Sequence, residues 1–334
     1  VLFRSLSRVA GENVGSYAIN QGSVNNSNYS ITYTSANLSI TPLAVTVTAA
    51  AKTKVYGNLD PALTYTSSPA VGTVLANGQI IGFTGALTRV AGENVGAYAI
   101  QQGTVANSNY TITYVGANLS ITPLAVTVTA DAKTKVYGPV DPALTYVSSP
   151  VVGTVLTNGQ IIGFSGTLTR AAGENVGSYA INQGSVANSN YTITYVGANL
   201  NITPLAVSVT ADAKTKVYGS VDPALTFVSS PAVGTVLPNG QAIGFSGSLS
   251  RTAGENIGTY AINQGTVANS NYTITYTGAN LNITPLAVTV TADGKTKIYG
   301  QLDPALTFIS SPAVGTVMPN GQIIGFSGDR KSTR

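Results

Sequence analysis

The chain has 334 residues, of which 8% are charged and 36 are Gly, and it contains no Cys, His or Trp. With neither thiol nor imidazole, a disulfide framework, Ser-His-Asp or Cys-His catalysis and zinc-type metal centres are excluded. The formal charge of +4 falls to +1 once Arg4, Asp329, Arg330, Lys331 and Arg334 at the two ends are set aside, which leaves no electrostatic footprint for nucleic acid. No window approaches the roughly 20 apolar residues of a membrane span.

The sequence repeats every 81 residues. Ile-Thr-Pro ends at Pro42, Pro123, Pro204 and Pro285, and the same step relates Tyr56-Gly57 to Tyr137-Gly138, Tyr218-Gly219 and Tyr299-Gly300. Such a period marks a tandem array, and its length exceeds the roughly 20–50 residues of most solenoid repeats. It is enough for a small β domain. The expected division is 1–42 (the back of a repeat), 43–123, 124–204, 205–285, and 286–334 (the front of another). Residues 1–5 and 329–334 break the pattern and are read as non-native ends of a stretch taken from a longer array.

Within 124–204 the elements read in order. Leu124-Ala-Val-Thr-Val-Thr-Ala130 alternates apolar and polar, as a half-buried strand does. Lys133-Thr-Lys-Val-Tyr137 reads as a second strand ending at Gly138, with Lys133, Lys135 and Tyr137 on one face of a solvated, lysine-protected edge. Ala143-Leu-Thr-Tyr-Val147 follows Asp141-Pro142 and is broken by Ser148-Ser149-Pro150. Asn158-Gly159 signals a hairpin, with a short helical turn as the competing reading. Extended segments around Phe164–Arg170, from Tyr179 to Ile181, from Tyr191 to Tyr195 and through Leu200 and Ile202 complete the unit. No stretch sustains a 3.6-residue period. The chain therefore reads as all-β, a tandem of 81-residue modules, each an Ig-like sandwich or β-grasp-like. Leu124, Val126, Val128, Leu144, Tyr146, Phe164, Leu168, Ile181, Ile193, Leu200 and Ile202 are its expected core. No Gly/Ser linker separates units, and Pro204 restricts its own φ and its neighbour, so the array is expected to form an extended, semi-rigid rod.

The candidates for chemistry are few. Asp141 and Glu174, with Asp131, are the only carboxylates a glycosidase-type pair could use, and turn or capping roles suit them better. Calcium wants six to eight oxygen ligands, and Ala50 replaces Asp131 in the first junction. A Lys–Asn cross-link beside a carboxylate is a further option for Lys133 or Lys135, Glu174 and Asn199, though a buried Lys is costly unless paired. Tyr137, Tyr179, Tyr191 and Tyr195 recur in every unit and could stack on sugars. The Tyr146 position is Phe227 and Phe308 in later units, which marks that ring as core. The sequons at Asn190 and Asn201 matter only in a eukaryotic secretory setting. The expected assignment is no catalytic, cofactor or metal residues, and no enzyme.

Lys133-Thr-Lys-Val-Tyr-Gly138, Asp141-Pro-Ala-Leu-Thr145, Asn158-Gly159, Asn175-Val-Gly-Ser-Tyr179 and Asn190-Tyr-Thr-Ile-Thr194, closing on Leu200-Asn-Ile-Thr-Pro204, together resemble the MBG repeat of the YGX type. That family occurs in large bacterial surface adhesins, including haemagglutinin-like exoproteins, and the resemblance covers the chain apart from its ends. It implies a non-enzymatic stalk of an extracellular bacterial adhesin, at the cell surface or secreted, with no cofactor and no required oligomer. The alternative is that each module binds host or environmental glycans or glycoproteins weakly, with avidity from repetition.

Overall fold

The computed structural model describes residues 5–328, and among them there is no helix. The ends at 1–4 and 329–334 lie outside the described residues. By contact the chain parts into two compact units, each discontinuous in sequence. One is Val1–Ala130, Thr145–Thr169 and Gln183–Gly197; the other is Asp131–Leu144, Arg170–Asn182 and Ala198–Arg334.

In the first unit, residues 43–123 form two small mixed sheets. Leu43–Ala49 is central in a three-stranded sheet, antiparallel to Tyr65–Ser68 and parallel to Tyr110–Val115, with Leu43 opposite Tyr110. The alternation of Leu43–Ala49 puts Val45, Val47 and Ala49 inside and Thr46 and Thr48 on the other face. The chain then changes sheets over Ala50 and Ala51, where the Ala50 amide donates to Thr64 O at 2.8 Å. Lys52–Val55 becomes the edge of a four-stranded sheet, parallel to Ala117–Thr122, which in turn pairs antiparallel with Gly96–Gln101, and that with Thr88–Arg89.

The two sheets enclose a core. Ala49, Tyr65 and Tyr114 from the first meet Ile100 and Leu119 from the second, with Leu87, Val105, Leu63 and Phe83 filling the edge. Of the two arrangements expected from sequence, the two-sheet sandwich is the one seen. The second unit repeats it at 205–285: Ala211, Phe227 and Tyr276 face Leu249, Ile262 and Leu281.

A second kind of core lies at the Ile-Thr-Pro junctions, and here the structure departs from the expectation of a core confined to each repeat. Ile121 and Tyr56 cluster with Val126, Ile162 and Tyr191 of the following repeat. In the second unit Ile202 and Tyr137 cluster likewise with Val207, Ile243 and Tyr272. Phe245 packs against both this cluster and the core of 205–285, so the apolar interior runs through the junction.

The Asn158-Gly159 signal does mark a hairpin. Val155 bridges Ile161, the Leu156 amide donates to Gln160 O at 2.7 Å, and the Gly159 amide donates to Leu156 O at 2.9 Å. Within this hairpin only Gly159 has positive φ, at 86°. The loop is therefore three residues with a left-handed glycine last, not the two-residue type I′ turn, which needs positive φ at both centres.

Candidate functional site: the inter-repeat junction

The hairpin's position explains its sequence. In the first unit, the Asn158 amide N–H donates to Gly57 O at 3.0 Å and Thr157 Oγ1 donates to the same oxygen at 2.8 Å. Tyr56 Oη donates to Gln160 Oε1 at 3.0 Å. Leu156 lies so close over Gly57 that a Cβ there would come within 2.3 Å of Leu156 Cδ1, and φ at Gly57 is +89°. Only glycine satisfies both demands. In the second unit Leu237 lies over Gly138 in the same way, and Asn239 N donates to Gly138 O at 2.8 Å.

Beneath the hairpin sits a charge cluster. Lys54 Nζ donates to Asp60 Oδ1 and Glu93 Oε2, both at 2.7 Å, and to Asn58 O at 3.1 Å. Arg89 reaches both oxygens of Asp60 and Oε1 of Glu93, and its Nη1 donates to Val90 O and Gly92 O. Its guanidinium lies 5.5 Å from the centre of the Tyr98 ring. The following repeat completes the set, with Asn158 Nδ2 donating to Glu93 Oε2 at 2.8 Å. Lys135, Asp141, Arg170, Glu174 and Asn239 reproduce the arrangement, as do Lys216, Asp222, Arg251, Glu255 and Asn320.

Burial alone would lower the Lys54 ammonium, but the hydrogen bonds it donates to Asp60 and Glu93 outweigh that and hold it above its ordinary value. The Arg89 hydrogen bonds, with Lys54 behind them, hold Asp60 below its usual range against burial. Burial would raise Glu93, yet Lys54, Asn158 and Arg89 together keep it depressed. Glu174 is depressed chiefly by Lys135.

These contacts place the sequence candidates. Asp141 and Glu174 meet around shared cations as depressed carboxylates, whereas a glycosidase acid needs a raised one. Lys135 is the correction to the solvated-edge reading. Its strand is an edge, but the side chain is 5% exposed and points inward, while Val136 on the other face is exposed. A Lys held cationic by two carboxylates is a poor nucleophile for cross-linking, and the amide beside Glu174 is Asn239 rather than Asn199. Among the described residues no group of three or more His, Cys, Asp or Glu could hold a metal ion.

A second lock uses Asn190. Its Oδ1 accepts from Val95 N at 2.8 Å, its Nδ2 donates to Asn94 Oδ1 at 3.0 Å, and its carbonyl accepts from Leu124 N at 3.0 Å. Asn109 and Asn271 do the same for Asn13-Val14 and Asn175-Val176. Asn190 is buried, which leaves no room for a glycan on that sequon. Beside it Tyr191 inserts between two rings, 5.8 Å from Tyr56 and 5.3 Å from Phe164, both edge to face. Tyr137 and Tyr191 are thus junction core, and Tyr179 lies beneath Arg170.

A family model described as MBG domain (YGX type) matches residues 2–39, 45–120, 126–201 and 207–282. No curated protein matches. Similar solved structures include the N-terminal eight Ig domains of Down Syndrome Cell Adhesion Molecule isoform 1.30.30, at 18% identity and a TM-score of 0.19; the match covers 97% of this chain and 54% of that one. The I9-I11 tandem from titin matches at 11% identity and a TM-score of 0.19, covering 72% of this chain and 100% of that one. The N-terminal four Ig domains of Dscam1 isoform 8.4 match at 16% identity and a TM-score of 0.22, covering 82% and 80%. This chain spans about half of the first, and TM-scores of this size carry no argument about arrangement or function.

Proposed function

We propose, from the premise that the chain belongs to the MBG domain (YGX type) family, that it serves as a non-enzymatic spacer in an extracellular bacterial adhesin, projecting a binding domain from the cell surface. The observation that carries this reading is the junction. The strand Ala117–Thr122 is separated from Leu124–Ala130 by Pro123 alone, and Ile121 and Val126 on either side share one apolar cluster. Proline limits φ there and biases its predecessor towards extended geometry. A hairpin and an asparagine from the next repeat add hydrogen bonds across the same boundary. Such a connection transmits direction, and a spacer needs that to keep a distant domain off the surface.

Small-angle scattering tests it. The maximum dimension should grow in proportion to the number of repeats, reaching roughly 100 Å for three compact domains in series. Inserting Gly-Ser-Gly-Ser after Pro204 should shorten the mean end-to-end distance. A native protein that scatters as a compact globule, or an insertion without effect, contradicts the proposal. Specific retention on mucin or a glycan array that grows with repeat number would favour the binding alternative instead.

A further inference from the structure

The hairpins that close two of the junctions turn on Asn158-Gly159 and Asn239-Gly240. An Asn followed by Gly loses its side-chain amide readily, because glycine has no Cβ to keep its backbone nitrogen away from the neighbouring side-chain carbonyl. The reaction needs that nitrogen free and the Asn side chain free to swing onto it. Here both are tied. Gly159 N donates to Leu156 O at 2.9 Å, Asn158 Oδ1 accepts from Gln160 N at 3.2 Å, and Asn158 Nδ2 donates to Glu93 Oε2 at 2.8 Å. Gly240 N donates to Leu237 O at 2.8 Å, Asn239 Oδ1 accepts from Gln241 N at 3.2 Å, and Asn239 Nδ2 donates to Glu174 Oε2 at 3.0 Å. Solvent access is not the barrier, since Gly159 and Gly240 are exposed and no atom lies within 4 Å of either Cβ position.

The amide that would be lost is the one that locks the junction. Lys54, Arg89, Asp60 and Glu93 form a cluster of two cations and two carboxylates, and Glu93 is held ionised. Exchanging the Asn158 amide for a carboxylate sets acceptor against acceptor where Nδ2 now meets Oε2, and it adds a negative charge to a balanced set. The hairpin is also a piece that can leave by itself. Leu156 and Ile162 face the junction cluster, whereas Val155 and Ile161 on the other side are exposed.

We propose that Asn158 and Asn239 are deamidation sites, protected while the hairpin is docked on the preceding repeat and reactive once it lifts, so that each junction is a one-way latch. With the hairpin lifted, Gly159 N gives up its proton and attacks Asn158 Cγ. The new N–Cγ bond closes a succinimide, the Cγ–Nδ2 bond breaks, and ammonia leaves with the proton. Water then opens the ring at one of its two carbonyls, so that one water is consumed for each ammonia released. Opening at Cγ gives aspartate, which faces Glu93. Opening at the main-chain carbonyl gives isoaspartate, which routes the chain through an extra methylene inside the loop joining Val155 to Ile161. Neither product restores the closed hairpin. The inference rests on the junction contacts and not on the spacer reading.

Peptide mapping by mass spectrometry tests it, on the full chain held in mildly alkaline water enriched in heavy oxygen so that only amides hydrolysed during the incubation are scored. Asn158 and Asn239 in the native chain should convert at least about tenfold more slowly than Asn158 in a free peptide of residues 153–164, a ratio that needs an opening free energy of only about 1.4 kcal/mol. Leu156→Ala, which thins the packing under one hairpin, should speed conversion at Asn158 and leave Asn239, in the other junction of the same molecule, at its native rate. A second measurement does not depend on that variant folding. In Asn158→Asp, amide hydrogen exchange across residues 153–162 should quicken by at least about tenfold, as for the loss of one hydrogen bond to a charged group. Adding Glu93→Gln, which returns a donor and removes the extra charge, should bring it back towards the native rate. Conversion in the native chain as fast as in the peptide overturns the proposal. So does a folded Leu156→Ala chain in which Asn158 and Asn239 react alike, or an Asn158→Asp hairpin that exchanges as slowly as the native one.

Discussion

Two copies of nearly the same six residues behave differently in one molecule. Lys-Thr-Lys-Val-Tyr-Gly at 52–57 forms the edge strand Lys52–Val55, with the Lys54 side chain 3% exposed and Tyr56 4% exposed. Lys-Thr-Lys-Ile-Tyr-Gly at 295–300 forms no strand, and its Lys297 side chain is 49% exposed and Tyr299 102%. Both glycines have φ near +88°, yet Leu156 crowds Gly57 and nothing lies within 4 Å of the Cβ position of Gly300. The first copy has a partner strand, Arg89 and Glu93 from the back of its own repeat, and a hairpin from the next. Among the described residues the Lys297 ammonium of the second copy is ion-paired with Asp303. Strand formation and Lys burial in this segment thus come from tertiary partners, not from the six residues themselves.

Acid should sharpen the contrast most, because it acts on all three clusters at once. Asp60, Glu93, Asp141, Glu174, Asp222 and Glu255 are depressed in the folded chain. Their stabilisation is present above the unfolded values of about 3.9–4.3 and lost as pH falls through the lower folded ones. Lys54, Lys135 and Lys216 are raised, so their share is present below about 10.4 and lost as pH rises through the higher folded values. Thermal melts should be level between about pH 5 and pH 10 and fall steeply at either side.

Substitution separates the two regions one residue at a time. Lys54→Met leaves a buried charge cluster without its central cation and should cost about 3 kcal/mol, whereas Lys297→Met, an exposed pair, should cost about 1 kcal/mol or less by denaturant unfolding. Gly57→Ala adds a clash with Leu156 to the cost of a left-handed alanine, for a total of about 2–3 kcal/mol. Gly300→Ala carries the backbone cost alone, about 1 kcal/mol. Asn190→Ala orphans the Val95 amide and should cost about 1–3 kcal/mol, while Asn28→Ala should leave the melting temperature unchanged.

Much of the fold could be read from residue order. The alternation in Leu124–Ala130, the Asn-Gly hairpin and the all-β class follow from local pattern. What could not be read was partnership. Leu43–Ala49 and Lys52–Val55 read as two successive strands, but nothing local shows that they belong to different sheets, because their parallel partners lie more than sixty residues on. In an array of near-identical copies a contact between residue i and its own repeat looks the same in sequence as one with the next. Asn158 on Glu93 and Asn190 on Val95 were therefore invisible as inter-repeat bonds. The inward Lys misled for a different reason. Its strand carries Lys on the face expected to be polar and outward, and only the carboxylates of Asp60 and Glu93, brought in from elsewhere, make its burial tolerable.

The central claim is that the junction, and not the 81-residue period alone, holds a repeat at its full stability. The most direct measurement compares urea unfolding of residues 43–123 with that of residues 43–204, in which the Pro123 junction is intact. Covering Tyr56 and Ile121 with Val126, Ile162 and Tyr191, at about 1.5–3 kcal/mol for each large side chain buried, should move the midpoint of the longer piece clearly upward. Identical midpoints for the two pieces would show that repeats fold as independent beads and contradict the account.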